Sequence, residues 1–185
     1  MWRLLFAAGC LTGLFVLVPW IAESSHTKRE SVAHALSEPD LTFDVDRLAI
    51  ESENRALQTA MPEEIQSFRG MKLWQYVEKI DSGRERERRI AIALLGASGS
   101  IDAIEPLKSA LTAEQDPRSI ATLVTALAES RRKDAILHLI EEIEARNGSS
   151  SFEACRALEN VFRVDLGLDA DAWRKWLEST SAIRD

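Results

Sequence analysis

Three leucines in the second half of the chain, Leu95, Leu127 and Leu158, stand 32 and 31 positions apart. Each belongs to a longer echo. Leu94-Leu95-Gly96 runs on to Ala103-Ile104-x-x-Leu107, and Ala126-Leu127-Ala128 runs on to Ala135-Ile136-x-x-Leu139. Ala157-Leu158-Glu159 opens a third unit, and Leu107 to Leu139 is again 32 positions. A period of this size marks stacked helical pairs. One such pair has an apolar face that it cannot bury alone, so neighbours must cover it. The pattern therefore constrains architecture strongly and the identity of a bound partner weakly.

Helix start and stop signals agree with the period. Pro62 followed by Glu63 and Glu64 suits a first turn, where the missing N–H is not needed and carboxylates favour the positive end of the helix dipole. Gly70 ends that helix, and Leu73, Trp74, Val77 and Ile80 mark the next, which stops near Ser82-Gly83. From about Arg84 to Ala97 the pattern predicts a helix whose Ile90–Leu95 run is apolar all round, hence covered on more than one side. Asp102 with Glu105, and Ser150 with Glu153, have the spacing of capping boxes. Asp116-Pro117 and Asp169 read as helix starts, and Pro106 falls in a first turn, where it is tolerated. The connections are short, as paired helices demand.

Composition supports an all-α fold. Among 185 residues there are one Tyr, eight Gly and five Pro, and 45% are hydrophobic, enough for a real core. The net charge of −7 argues against a nucleic-acid surface, which needs excess Lys and Arg to displace counterions, although a local basic patch is compatible with it. Cys10 and Cys155 lie in distant segments and imply no disulfide framework. Cys155 reads as a small buried hydrophobe.

The N-terminus has a different character. Leu4 to Ala22 is a stretch of 19 residues without a charge, the length of a bilayer-spanning helix. Arg3 precedes it, and Trp2 and Trp20 stand at its edges, where aromatic rings suit the interfaces. The first expectation is a single-pass anchor with the remaining chain exported to the periplasmic side. A cleaved signal is a second reading, opposed by Trp20 where a small residue is wanted. A lipoprotein signal ending at Ala7-Ala8-Gly9-Cys10 is a third. The expected organisation is an anchor or signal segment over residues 1–22 and a partly helical linker over 23–61. A helical repeat domain follows over 62–180, with a capping pair up to about 83, and a tail over 181–185.

The stretch from Arg89 to Leu107, with its Ala-Leu-Leu-Gly, short turn and Ala-Ile-x-x-Leu, resembles a HEAT repeat of the bacterial type. The closing Asp165-Leu166-Gly167-Leu168-Asp169 with Trp173 and Trp176 is similar to the end of many such proteins. The likeness spans roughly residues 84–178. The second unit has Ala128 where the first has Gly96, and the third replaces its second half with the tryptophan helix. The resemblance implies a short α-solenoid of antiparallel helix pairs whose second helices line a concave binding face. It implies no chemistry, since fold is not function.

By the 32-residue register, Lys108, Thr112, Glu141 and Glu144 would face that groove as partner-binding residues. Trp173 and Trp176, on one face of a short helix, would plug the open end of the stack. Arg84-Glu85-Arg86-Glu87-Arg88-Arg89 reads as an exposed helix start held by i,i+4 pairs, or as a basic patch for an acidic partner. Arg131-Arg132-Lys133 reads as a solvated turn, with contact to anionic lipid as the alternative. His26 and His34 fall in the linker, and His138 at a rim. No metal-ligand spacing, phosphate loop or nucleophile elbow occurs, so no catalytic, metal or cofactor site is expected. The leading functional expectation is a membrane-tethered, non-catalytic scaffold or protein-interaction module. The alternatives are an enzyme or accessory subunit of the bilin-lyase type and a self-associating envelope component.

Overall fold

The computed structural model describes residues 43–81, 84–145 and 148–185. Their regular structure is helical, apart from one isolated bridge between Arg132 and Arg184. The helices are α1 (Val45–Glu51), α2 (Arg55–Gln58), α3 (Pro62–Gln66), α4 (Leu73–Ile80) and α5 (Glu85–Ser98). A 3-10 turn (Ile101–Ala103) leads into α6 (Ile104–Ala113). Then come α7 (Pro117–Glu129), α8 (Lys133–Ala145), α9 (Ser149–Phe162) and α10 (Ala170–Ser179).

The period becomes two rows of contact. Helices α5, α7 and α9 touch in turn, and α6, α8 and α10 touch in turn. Leu95, Leu127 and Leu158, the three echoes, are each fully buried in the first row. Leu107 and Leu139 occupy the same place in the second row. Gly96 permits the α5–α7 approach. A Cβ at that position would stand 2.4 Å from Cα and O of Ala126. Ile90 to Leu95 is buried on every side because α1, α2 and α4 cover α5 as well as α6 and α7 do.

Several ends form as the sequence dictates. The Asp116 carboxylate accepts from Ser119 N at 2.8 Å with Pro117 at the first helical position. Asp169 accepts from Ala172 N at 3.0 Å, and Glu64 from Met61 N at 2.7 Å. Two expected capping boxes do not form. Residues 101–103 close into a 3-10 turn, so Asp102 lacks the extended backbone that an N-cap needs, and Glu105 pairs with Lys108 at 2.7 Å instead. Helix α9 begins at Ser149, which places Ser150 inside it; the Ser150 hydroxyl donates to Glu142 Oε2 at 2.6 Å on α8.

The segment between residues 43 and 60 joins the core. Val45, Leu48 and Leu57 are buried, and Phe43 meets the Tyr76 ring edge-on at 5.5 Å. Tyr76 stacks on Phe68 and donates its hydroxyl to Phe68 O at 2.8 Å; burial pushes that phenol up to about 12. Among the described residues no helix is long and apolar enough to cross a membrane. The apolar run 4–22 read as an anchor, together with Cys10, His26 and His34, lies outside the described residues.

Candidate functional site

A polar knot fixes the chain between α1 and α2 onto α7. The Ser52 hydroxyl donates to the Glu129 carboxylate at 2.8 Å, and Asn54 Nδ2 donates to Thr122 O at 3.0 Å. Asn54 Oδ1 also caps α2 by accepting from Ala56 N at 3.1 Å. Burial raises the pKa of Glu129, and the bonds from Ser52 and the Glu53 N–H oppose that rise. Asn54 is itself buried, so each of these bonds replaces one that water would otherwise make.

The knot gives a groove its wall. Residues 53–59, the first turns of α5 and α7, and the outer side of α9 enclose about 720 Å³. That lies within the roughly 300–1,000 Å³ typical of ligand sites. Its lining holds five arginines, Arg55, Arg86, Arg89, Arg118 and Arg156, against two glutamates, Glu53 and Glu153. On a chain of net charge −7 this is a local reversal of sign.

The five arginines are not equivalent. Arg86 holds Glu64 and donates to Thr59 O at 3.0 Å, and its guanidinium holds the Glu64 carboxyl below the usual carboxylate range. Arg156 pairs with Glu153 at 2.5 Å. Arg89 stands 3.6 Å from Glu85, and its Nε is buried without a hydrogen-bond partner. Arg55 and Arg118 are exposed and make no side-chain hydrogen bond or ion pair among the described residues. Three cations therefore face the groove with unused donors.

The charged run at the start of α5 does more than make local pairs. Glu87 holds Arg84 at 2.8 Å and Lys79 at 3.0 Å, which ties α5 to α4. Arg88 reaches Glu114 beyond the end of α6. Burial pushes the Glu114 carboxyl up, yet the N–H groups of Asp116 and Gln115 together with Arg88 outweigh it, and its pKa is lowered. The Arg131-Arg132-Lys133 turn is occupied by the C-terminus. Arg184 N donates to Arg131 O at 2.7 Å, and Lys133 N donates to Arg184 O at 3.0 Å. Arg132 Nε bonds Gly99 O at 2.8 Å, and the Arg131 guanidinium lies 5.4 Å over the Phe162 ring.

The four residues expected to bind a partner sit on the second row, away from this groove. Lys108 pairs with Glu105, and Thr112 donates to Lys108 O at 3.0 Å, both on α6. On α8, Glu141 lies 3.6 Å from His138 and Glu144 pairs with Arg174 of α10. Trp173 is fully buried and donates Nε1–H to Gly167 O at 2.9 Å. Trp176 is half-buried between Trp173 and Phe162, with ring centroids at 5.5 and 4.8 Å. Cys155 is buried; burial and the neighbouring Glu159 push its thiol up to about 12, which leaves no thiolate for nucleophilic work. Among the described residues no three His, Cys, Asp or Glu side chains could hold a metal ion.

Against protein-family models, curated proteins and solved structures, the chain matches none.

The arginines of the groove are visible in the sequence, but their convergence is not. Arg55, Arg89, Arg118 and Arg156 come from four different elements. The one legible signal is an arginine near the start of α5 and of α7, at Arg86 and Arg89 and at Arg118; Arg156 lies in the middle of α9.

Proposed function

We propose that this chain is a HEAT-like α-solenoid that serves as a non-catalytic protein-interaction module. The apolar run 4–22 tethers it to a membrane, with the repeats on the extracytoplasmic side. The observation that carries the reading is the groove across three successive first-row helices, with polar and cationic walls. A stack of helical pairs with one continuous polar groove is the usual form of a peptide- or protein-binding solenoid.

The test is site-specific photocrosslinking of the full-length protein in its native membrane. A photoreactive residue at Thr125, within the groove, is compared with one at Lys108, on the second row. A discrete adduct from Thr125 supports the module and its face. Adducts from Lys108 alone move the binding face to the second row. No adduct from either position refutes the interaction reading. A reporter fused at the C-terminus tests the side of the membrane, and activity from a reporter that works only in the cytoplasm would overturn the export assignment.

A further inference from the structure

We infer that the groove takes an acidic peptide segment of a partner protein, read by Arg55, Arg89 and Arg118. The inference rests on the interaction-module reading and adds the chemistry of its partner. The groove concentrates five arginines on a chain of net charge −7, and three of them have donors not engaged in a full ion pair. A guanidinium presents a planar fork of donors that fits a carboxylate in bidentate fashion. The Arg89 Nε stands 3.6 Å from Glu85 Oε1, too long for a hydrogen bond, so the Arg89 guanidinium is held only loosely by its own helix.

Other anions fit less well. A nucleic acid presents closely spaced phosphates over a long track, whereas two glutamates share this groove and the protein as a whole is acidic. A bilayer is broad and flat, and a concave groove cannot lay its floor against it. A peptide spaces its carboxylates between neutral side chains. It also carries backbone N–H groups for Glu53, Glu153 and the side-chain oxygen of Asn160, which line the same walls. Glu53 and Glu153 would repel a uniformly anionic polymer and tolerate a peptide whose charges are interrupted.

The test is fluorescence anisotropy on the full-length protein. The probe is a labelled twelve-residue peptide alternating Glu or Asp with Ala and Leu. Its comparisons are the same peptide with Lys at the acidic positions, a labelled single-stranded oligothymidine, and vesicles of phosphatidylglycerol and phosphatidylcholine. Arg55→Glu and Arg118→Glu leave no folded-state ion pair unmade among the described residues, and Lys108→Glu is the charge-matched control on the second row. The acidic peptide should bind at least about tenfold tighter than the lysine peptide. Each reversal should weaken it about tenfold, as expected for loss of a bidentate charged contact, and Lys108→Glu should leave it unchanged. Equal binding of both peptides, preference for the oligonucleotide or the vesicles, or indifference to both arginine reversals would overturn the inference. If the Thr125 adduct persists in the Arg55→Glu, Arg118→Glu double variant, the acidic-segment inference fails and the module survives. If no adduct forms in the unaltered protein, the module itself fails.

Discussion

The close approach of α5 to α7 at Gly96 makes the sharpest prediction. In an open helix, Gly→Ala stabilises by about 1 kcal/mol, because alanine has less backbone freedom to lose. At Gly96 the added Cβ would stand 2.4 Å from both Cα and O of Ala126 and 2.6 Å from its Cβ, where ordinary contact begins at 3.4 Å. The helices must therefore part by about 1 Å at the crossing. A gap of about that size forfeits a quarter to a half of the dispersion attraction of the atoms it separates. Leu95, Leu123 and Leu127 are fully buried on these two helices and lose part of their packing. Overpacking costs about 1–3 kcal/mol, and contacts this short to backbone atoms belong in the upper part of that range, about 2–3 kcal/mol, so after the propensity gain Gly96→Ala should destabilise by about 1–2 kcal/mol. With a urea slope of ~2 kcal/mol per molar, the unfolding midpoint should fall by about 0.5–1 M. The assay is a urea titration of the full-length chain read by far-UV circular dichroism and by tryptophan emission, since Trp173 is buried. Ala126→Gly should not rescue the variant, because two of the three close contacts are to backbone. An unchanged or raised midpoint for Gly96→Ala would refute the close packing of the first row.

Three further outcomes are expected. Trp173→Ala should cost about 3–5 kcal/mol, as for other buried aromatic truncations, and Trp173→Phe less, with the difference carried by ring volume and the bond to Gly167 O; denaturant midpoints of the two variants separate these cases. Asn54→Ala removes the bond to Thr122 O and the cap of α2 together, so it should destabilise by about 2 kcal/mol and expose residues 43–60 to protease before the repeats are cut, a sequence of cleavage that mass spectrometry can follow. Glu129 has a pKa raised in the folded state by burial, so the folded protein takes up this proton at a higher pH than the unfolded chain does. Its charge therefore opposes folding above the raised value, and the opposition fades as pH falls through that value toward 4.5. Glu129→Gln keeps an acceptor for Ser52 and Glu53 N–H and should raise stability at neutral pH while leaving it little changed near pH 4.5. A loss at neutral pH would show that the charge itself holds the knot.

Legibility followed the kind of force involved. The helical rows were readable because burial of apolar faces repeats with the helix period, and Leu95, Leu127 and Leu158 fall in one register. Gly96 stood out in the same echo, and its place in the tight α5–α7 crossing gives it a packing reason. The knot at Ser52–Asn54 was not readable. Its partners Thr122 and Glu129 lie 68 and 77 positions away, and side-chain hydrogen bonds leave no periodic trace. The two expected capping boxes had the right spacing, but a 3-10 turn at residues 101–103 and an early start to α9 took the backbone shape they require.

The sequence alone determined that the described residues are helical and where most of the helices begin. These are consequences of local backbone preference and of apolar periodicity, which act over a few residues at a time. Tertiary structure decided which surface gathers the cations. Arg55, Arg89, Arg118 and Arg156 are scattered over about a hundred positions and share a groove only because α5, α7 and α9 lie side by side and the chain at 53–59 folds across them. Coulomb attraction depends on distance in space rather than along the chain, so its design becomes visible only once the packing is in place.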